Sequence, residues 1–185
     1  MIIISAHADT NFKNVKLTVE DEYYKGYLDN YVGVFAVMKA YFSGEINFDY
    51  VRVELTYGEE TDMEGAKQVS KNVKVDDLVI VVDVTATPTD TDFVIEKCKS
   101  DKVRKFLEDT LTDFRFDLYK GCPDPVSNMD EVDIYKRKTD NYFFLGLPCS
   151  GGDYNLDVVQ CKIRSVDEAA RSLIKICNDY ENFNI

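Results

Sequence analysis

The run Leu78-Val79-Ile80-Val81-Val82-Asp83-Val84 constrains the fold more than any other feature of the chain. Apolar side chains occupy both parities of a period-two strand, so both faces of that strand must be covered. A second run, Ile2-Ile3-Ile4-Ser5-Ala6, has the same character. Strands buried on both sides belong to a sheet between two helical layers. Helical patterns do separate the strands. From Asp29 onward, Val32, Phe35, Ala36, Met38 and Phe42 form a stripe at helical spacing, with Asp29 or Asn30 as N-cap and Gly44 as the stop. Residues 50–57 alternate as a strand, and 92–98, 114–119, 141–147 and 158–163 also read as strands. Helices are predicted over 63–72, 101–112, 128–138 and 166–181, and a loop or hairpin over 10–27. The expected architecture is a three-layer α/β/α sandwich around a mixed, largely parallel sheet, in one domain over residues 1–185.

Charge narrows the partners. The chain has 22 basic and 34 acidic residues, a formal balance of −12. Nucleic-acid backbones and anionic membranes both demand a positive face, so neither is an expected partner. The single histidine, His7, excludes every site that needs two. Five cysteines, an odd number with no Cys-x-x-Cys spacing, read as scattered buried thiols rather than a disulfide framework. The N-terminus lacks a positive segment before its short apolar run, and no apolar stretch approaches the ~20 residues of a membrane span. A cytoplasmic protein is expected.

Sites in open α/β sheets lie beyond the carboxyl ends of the strands. Those ends carry a shared chemistry here. His7 and Asp9 follow the first strand, Glu59 and Glu60 follow the 50–57 strand, Asp83 closes an apolar run, and Asp29 precedes the first helix. Taken singly, most have plain structural roles as caps or solvated charges. Asp83 does not, because a carboxylate ending a run of Val and Ile must be paired, capped or metal-bound. So many carboxylates on one sheet edge repel one another. Divalent cations are the simplest remedy.

The order of these pieces resembles the dinuclear-metal exopeptidases, which include zinc aminopeptidases, tripeptidase-type aminopeptidases and carboxypeptidase-G-like enzymes. The matching segments are His7-Ala8-Asp9, then Leu28-Asp29-Asn30 entering a Gly33-containing helix, then Gly58-Glu59-Glu60. Val82-Asp83, Ser127-Asn128-Met129-Asp130-Glu131, Gly146-Leu147-Pro148 and the loop to Asp157 complete the series. The resemblance implies two divalent metal ions, zinc in the family. His7 and Asp83 would bind one, Glu60 and Asp157 the other, and Asp29 would bridge them. Asp9 would orient His7. Glu59 would be the general base that takes a proton from the metal-bridging water and passes it to the leaving amine.

Two features depart from the family pattern. Asp157 stands where the family normally has His, and an oxygen-rich ligand set also suits Mn²⁺ or Mg²⁺. Between Asp83 and Ser127 there is room for core elements but not for an inserted lid or dimerisation domain. Two readings follow. One is an exopeptidase or amidohydrolase cleaving a small peptide or acyl-amino acid. The other is a catalytically degenerate relative that serves as a metal-binding, binding or assembly protein. The tyrosines at 23, 24, 27 and 31 fit a pocket mouth, core packing or the surface of a homo-oligomer equally well.

Overall fold

The computed structural model describes residues 1–13, 16–46 and 49–184. Its centre is the pair of apolar runs. Ile2–His7 is strand β1, and every one of its residues is buried. A hairpin of β2 (Leu17–Glu20) and β3 (Tyr23–Gly26) follows, then helix α1 (Tyr31–Phe42), β4 (Val51–Thr56) and α2 (Glu64–Ser70). Leu78–Thr85 is β5, again buried throughout. Then come β6 (Phe93–Glu96), α3 (Asp101–Thr110), β7 (Phe116–Leu118), the single turn α4 (Val132–Tyr135), β8 (Tyr142–Ser150), β9 (Val159–Lys162) and α5 (Ile163–Asn178). A 3₁₀ turn, Tyr180–Asn184, ends the described chain.

The nine strands form one sheet with the path β2-β3-β9-β8-β5-β1-β4, and β6 pairs with both β8 and β7. β4, β1, β5 and β8 run parallel to one another, whereas β9, β3 and β2 on one flank, and β6 beside β8, pair antiparallel. The sheet is therefore mixed, with a parallel centre, as the apolar runs require. Strand parity sorts the core into two layers. Ile2, Ile4, Ile80 and Val82 pack with Ala36 and Val37 of α1, Val103 and Leu107 of α3, and Leu173 and Ile176 of α5. Ile3, Val79 and Val81 pack on the other face with Ala66 of α2 and with Val132, Ile134 and Tyr135 of α4. Each fully buried Ile or Leu contributes ~1.5–3 kcal/mol, so the central strands anchor the fold.

Several boundaries differ from the sequence expectation. α5 begins at Ile163, directly after β9, not at 166. Val159, Cys161 and Ile163 continue the strand's period of two, which hides the transition. The expected 128–138 helix shrinks to α4, and Lys136, Arg137 and Lys138 lie exposed beyond it. Asn30 occupies the N-cap position of α1 but makes no side-chain cap. All five cysteines are free, and Cys122 is exposed whereas the other four are buried. Among the described residues, no helix is long and apolar enough to cross a membrane.

Candidate metal centre

Parallel neighbours end on the same side, so β1, β4 and β5 deliver their last residues to one edge. His7 is in register with Thr56 of β4, which leads through Tyr57-Gly58 to Glu59 and Glu60. Asp83 sits near the end of β5 opposite Gly146 of β8. Asp29 enters just before α1. Its neighbour Asn30 points its amide into the sheet and donates to the Val82 carbonyl at 2.8 Å.

His7 is 1% exposed. Its Nε2 lies 3.1 Å from Asp29 Oδ1 and 3.3 Å from Asp83 Oδ2. Its Nδ1 lies 3.2 Å from the Asp9 carbonyl and 3.6 Å from Asp9 Oδ1. A proton on Nδ1 directed at Asp9 leaves a lone pair on Nε2, aimed at two carboxylates. Neither His7 Nε2 nor Asp29 Oδ1 has a hydrogen-bond partner of good geometry, although both are buried. Three lone-pair donors converge, and only a cation can satisfy all three. Without a metal, a proton takes that place. Burial alone would lower the His7 pKa, but the Asp83 charge and the contacts with Asp29 outweigh it and raise it far above the ordinary histidine range. Asp83 is raised by burial, against the opposing His7 charge.

The second cluster stands beside the first. The Asp9 carboxylate accepts the backbone N–H groups of Glu59 and Glu60, each at 3.4 Å, and so joins the end of β1 to the segment after β4. Asn11 Nδ2 donates to Glu60 Oε2 at 2.6 Å. Burial, then the Asp83 charge, push the Glu59 carboxyl up to about 9 in the metal-free protein. Burial, then Asp29, raise Glu60. Two groups of donors have ligand atoms all within 4.8 Å of one another: His7, Asp29 and Asp83, and His7, Glu59 and Glu60.

Four of these carboxylates open onto a cleft of about 420 Å³. Asp29, Glu59, Glu60 and Asp83 line it together with Asn128, Met129 and Asp130. The structure thus brings His7, Asp9, Asp29, Glu59, Glu60 and Asp83 together. Asp157 is placed differently. It is exposed, and its Oδ2 accepts the Asp153 N–H at 3.0 Å within its own loop. Leu156, one residue earlier, lines the cleft instead.

One residue of consequence carries no role in the sequence reading. Glu131, 2% exposed, accepts from Ser5 Oγ at 2.8 Å and from Thr56 Oγ1. Ser5 Oγ also lies 3.0 Å from the Tyr135 hydroxyl. The signal available was the Asp130-Glu131 pair placed directly before the apolar turn Val132-Ile134. Its neighbour Asp130 accepts from Lys97 Nζ at 2.7 Å.

No protein-family model and no curated protein matches the chain in sequence. Solved structures do match in fold. An aminopeptidase from the archaeon Desulfurococcus kamchatkensis superposes with a TM-score of 0.70 at 14% identity, covering 90% of this chain and 52% of its own. The TET1 peptidase of Pyrococcus horikoshii gives 0.69 at 15% identity, with 90% and 53% covered. Yeast aminopeptidase 1 gives 0.66 at 11% identity, with 91% and 49% covered. The chain has the fold of these aminopeptidases and spans about half the length of the structures it matches. The fold implied by the sequence resemblance is the one found.

Proposed function

We propose that the cleft is the active site of a metal-dependent exopeptidase or amidohydrolase acting on a small peptide or acyl-amino acid. The observation that carries this reading is the convergence of His7 Nε2, Asp29 Oδ1 and Asp83 Oδ2, two of them buried without a hydrogen-bond partner. The donors suit a divalent ion such as zinc or manganese, with one imidazole and hard carboxylate oxygens. His7, Asp29 and Asp83 would hold it. A metal bound there supplies a water of lowered pKa and polarises a carbonyl.

The chain's own residues do the rest. Asp9 fixes the His7 ring through Nδ1, which keeps Nε2 turned inward. Glu59 stands beside the same carboxylates, where its proton affinity is high, so it can take up a proton and release it to a leaving amine. Ser127, Asn128 and Asn155 line the cleft with groups able to hydrogen-bond a peptide. The fold shared with aminopeptidases supports the same reaction class. An assay of dipeptides, aminoacyl amides and acyl-amino acids with Zn²⁺, Mn²⁺ and Co²⁺ tests it. Hydrolysis of at least one substrate is expected, and no turnover from metal-loaded protein would overturn it. The placement of Asp157 outside the cleft favours the second reading, a metal-binding relative without catalysis, and that same negative result would establish it.

Self-association belongs to this reading. The Pyrococcus peptidase assembles into a tetrahedron or an octahedral shell. Here β2 is one edge of the sheet among the described residues, with Leu17 49% and Val19 64% exposed. The Lys16 carbonyl is turned toward Gly26 of β3, so alternation leaves the backbone groups of Leu17 and Val19 facing outward. Antiparallel pairing of two copies about Thr18 would set Leu17 against Val19 and Lys16 against Glu20.

A further inference from the structure

We infer that the chain holds one divalent metal tightly, at His7, Asp29 and Asp83, and that the second position expected beside it lacks a donor, because Leu156 and not Asp157 lines the cleft. The inference rests on the metal-dependent reading above and concerns how many ions the site takes.

The two donor groups share His7. One imidazole cannot serve both. Its Nε2 faces Asp29 and Asp83, and its Nδ1 faces Asp9. The group that keeps it has all three members buried, whereas Glu59 and Glu60 are only half-buried. Deprived of His7, a second ion would have Glu60, Glu59 and the remaining oxygen of Asp29. Glu60 Oε2 is already taken by Asn11 Nδ2, at 2.6 Å. If Glu59 is kept for proton transfer, two carboxylates remain, fewer than the three protein ligands that a catalytic metal site usually keeps.

The sequence resemblance assigns the remaining donor to Asp157, in the loop before β9. Asp157 cannot turn to supply it without breaking its own turn. Its Oδ2 accepts the Asp153 N–H, and the loop is packed so closely that a Cβ added at Gly152 would lie 2.8 Å from both Cβ and Oδ2 of Asp157. The residue that does line the cleft, Leu156, has no donor atom. Among the described residues, no other His, Cys, Asp or Glu joins either group.

Metal stoichiometry tests this without recourse to turnover. The full chain is stripped with a chelator, reloaded with Zn²⁺ or Mn²⁺, dialysed, and measured by elemental analysis and titration calorimetry. One tight equivalent per chain is expected. Asp83→Asn should lose it, and Asp157→Ala should keep it. Leu156→His should add a second equivalent. Two tight equivalents in the unmodified chain, loss of metal from Asp157→Ala, or a folded Leu156→His that stays at one would overturn the inference. If Leu156→His does not fold, the unmodified chain and Asp157→Ala decide it alone. No bound metal in the unmodified chain would instead overturn the metal-dependent reading itself, so the two failures are distinct.

Discussion

The side-chain amide of Asn30 donates to the backbone carbonyl of Val82, and each residue adjoins a metal-ligand candidate, Asp29 on one side and Asp83 on the other. One bond thus sets the spacing of two carboxylates that come from different elements. Gly33 makes room for it, since a Cβ there would lie 2.0 Å from Asn30 Oδ1. Asn30→Ala leaves the Val82 carbonyl without that donor and should cost about 1–3 kcal/mol in urea unfolding. Gly33→Ala should push Asn30 aside with a similar loss. Both should weaken metal binding about 10–100-fold, as loss of a residue that orients ligands commonly does. Wild-type metal affinity in either variant would show that the bond does not position the carboxylates.

Glu59→Gln separates chemistry from binding. It removes the proton acceptor but none of His7, Asp29 and Asp83. Turnover should fall ~10²–10⁴-fold with metal content unchanged. A rate near wild type would take Glu59 out of the reaction.

The metal-free protein should lose stability as pH rises. Glu59 moves from 4.5 in the unfolded chain to about 9 when folded. Between those values the folded state holds a proton that the unfolded state has released, so stability falls across that window. Glu59→Gln should flatten the fall, measured as Tm against pH in chelator. Metal has the opposite sign, because binding displaces protons and strengthens with pH. At a free concentration ~1,000 times Kd, metal should add about 4 kcal/mol, and chelation should remove it.

Self-association should depend on the β2 edge. Light scattering is expected to show a dimer. Lys16→Glu places like charges opposite each other across the pairing and should dissociate it, and combining it with Glu20→Lys should restore it. Monomers at every concentration, or a Lys16→Glu dimer as stable as wild type, would exclude this edge.

The parallel centre was legible because apolar runs such as Leu78–Val82 have few alternatives to burial on both faces. Asp83 was legible for the same reason, since a carboxylate in that setting demands a partner. The loop before β9 was not. Whether Leu156 or Asp157 meets the cleft depends on a turn closed by the Asp153 N–H, and periodicity carries no information about a one-residue shift in a turn. The start of α5 was hidden by apolar alternation that ran on through Ile163. Asp29 or Asn30 reads as a cap because capping is the commonest use of Asp or Asn before a helix, yet Asn30 at the N-cap position makes no side-chain cap. The acceptor of the Asn30 amide, Val82, lies 52 residues away.

Glu131 holds Ser5 of β1 and Thr56 of β4 with the two oxygens of one carboxylate, and it continues directly from the cleft wall at Asn128–Asp130. That wall is consequently bolted to the sheet beneath the donors. A peptide pressing on Met129 or Asp130 meets a rigid jaw, and the loop carrying Leu156 is tied to the segment leading into that jaw, since the Tyr154 hydroxyl donates to Asp124 at 2.9 Å and the Asn155 amide to the Val126 carbonyl at 3.4 Å. The two loops are therefore braced to each other and to the sheet, and a substrate meets a cleft whose shape is set before it arrives.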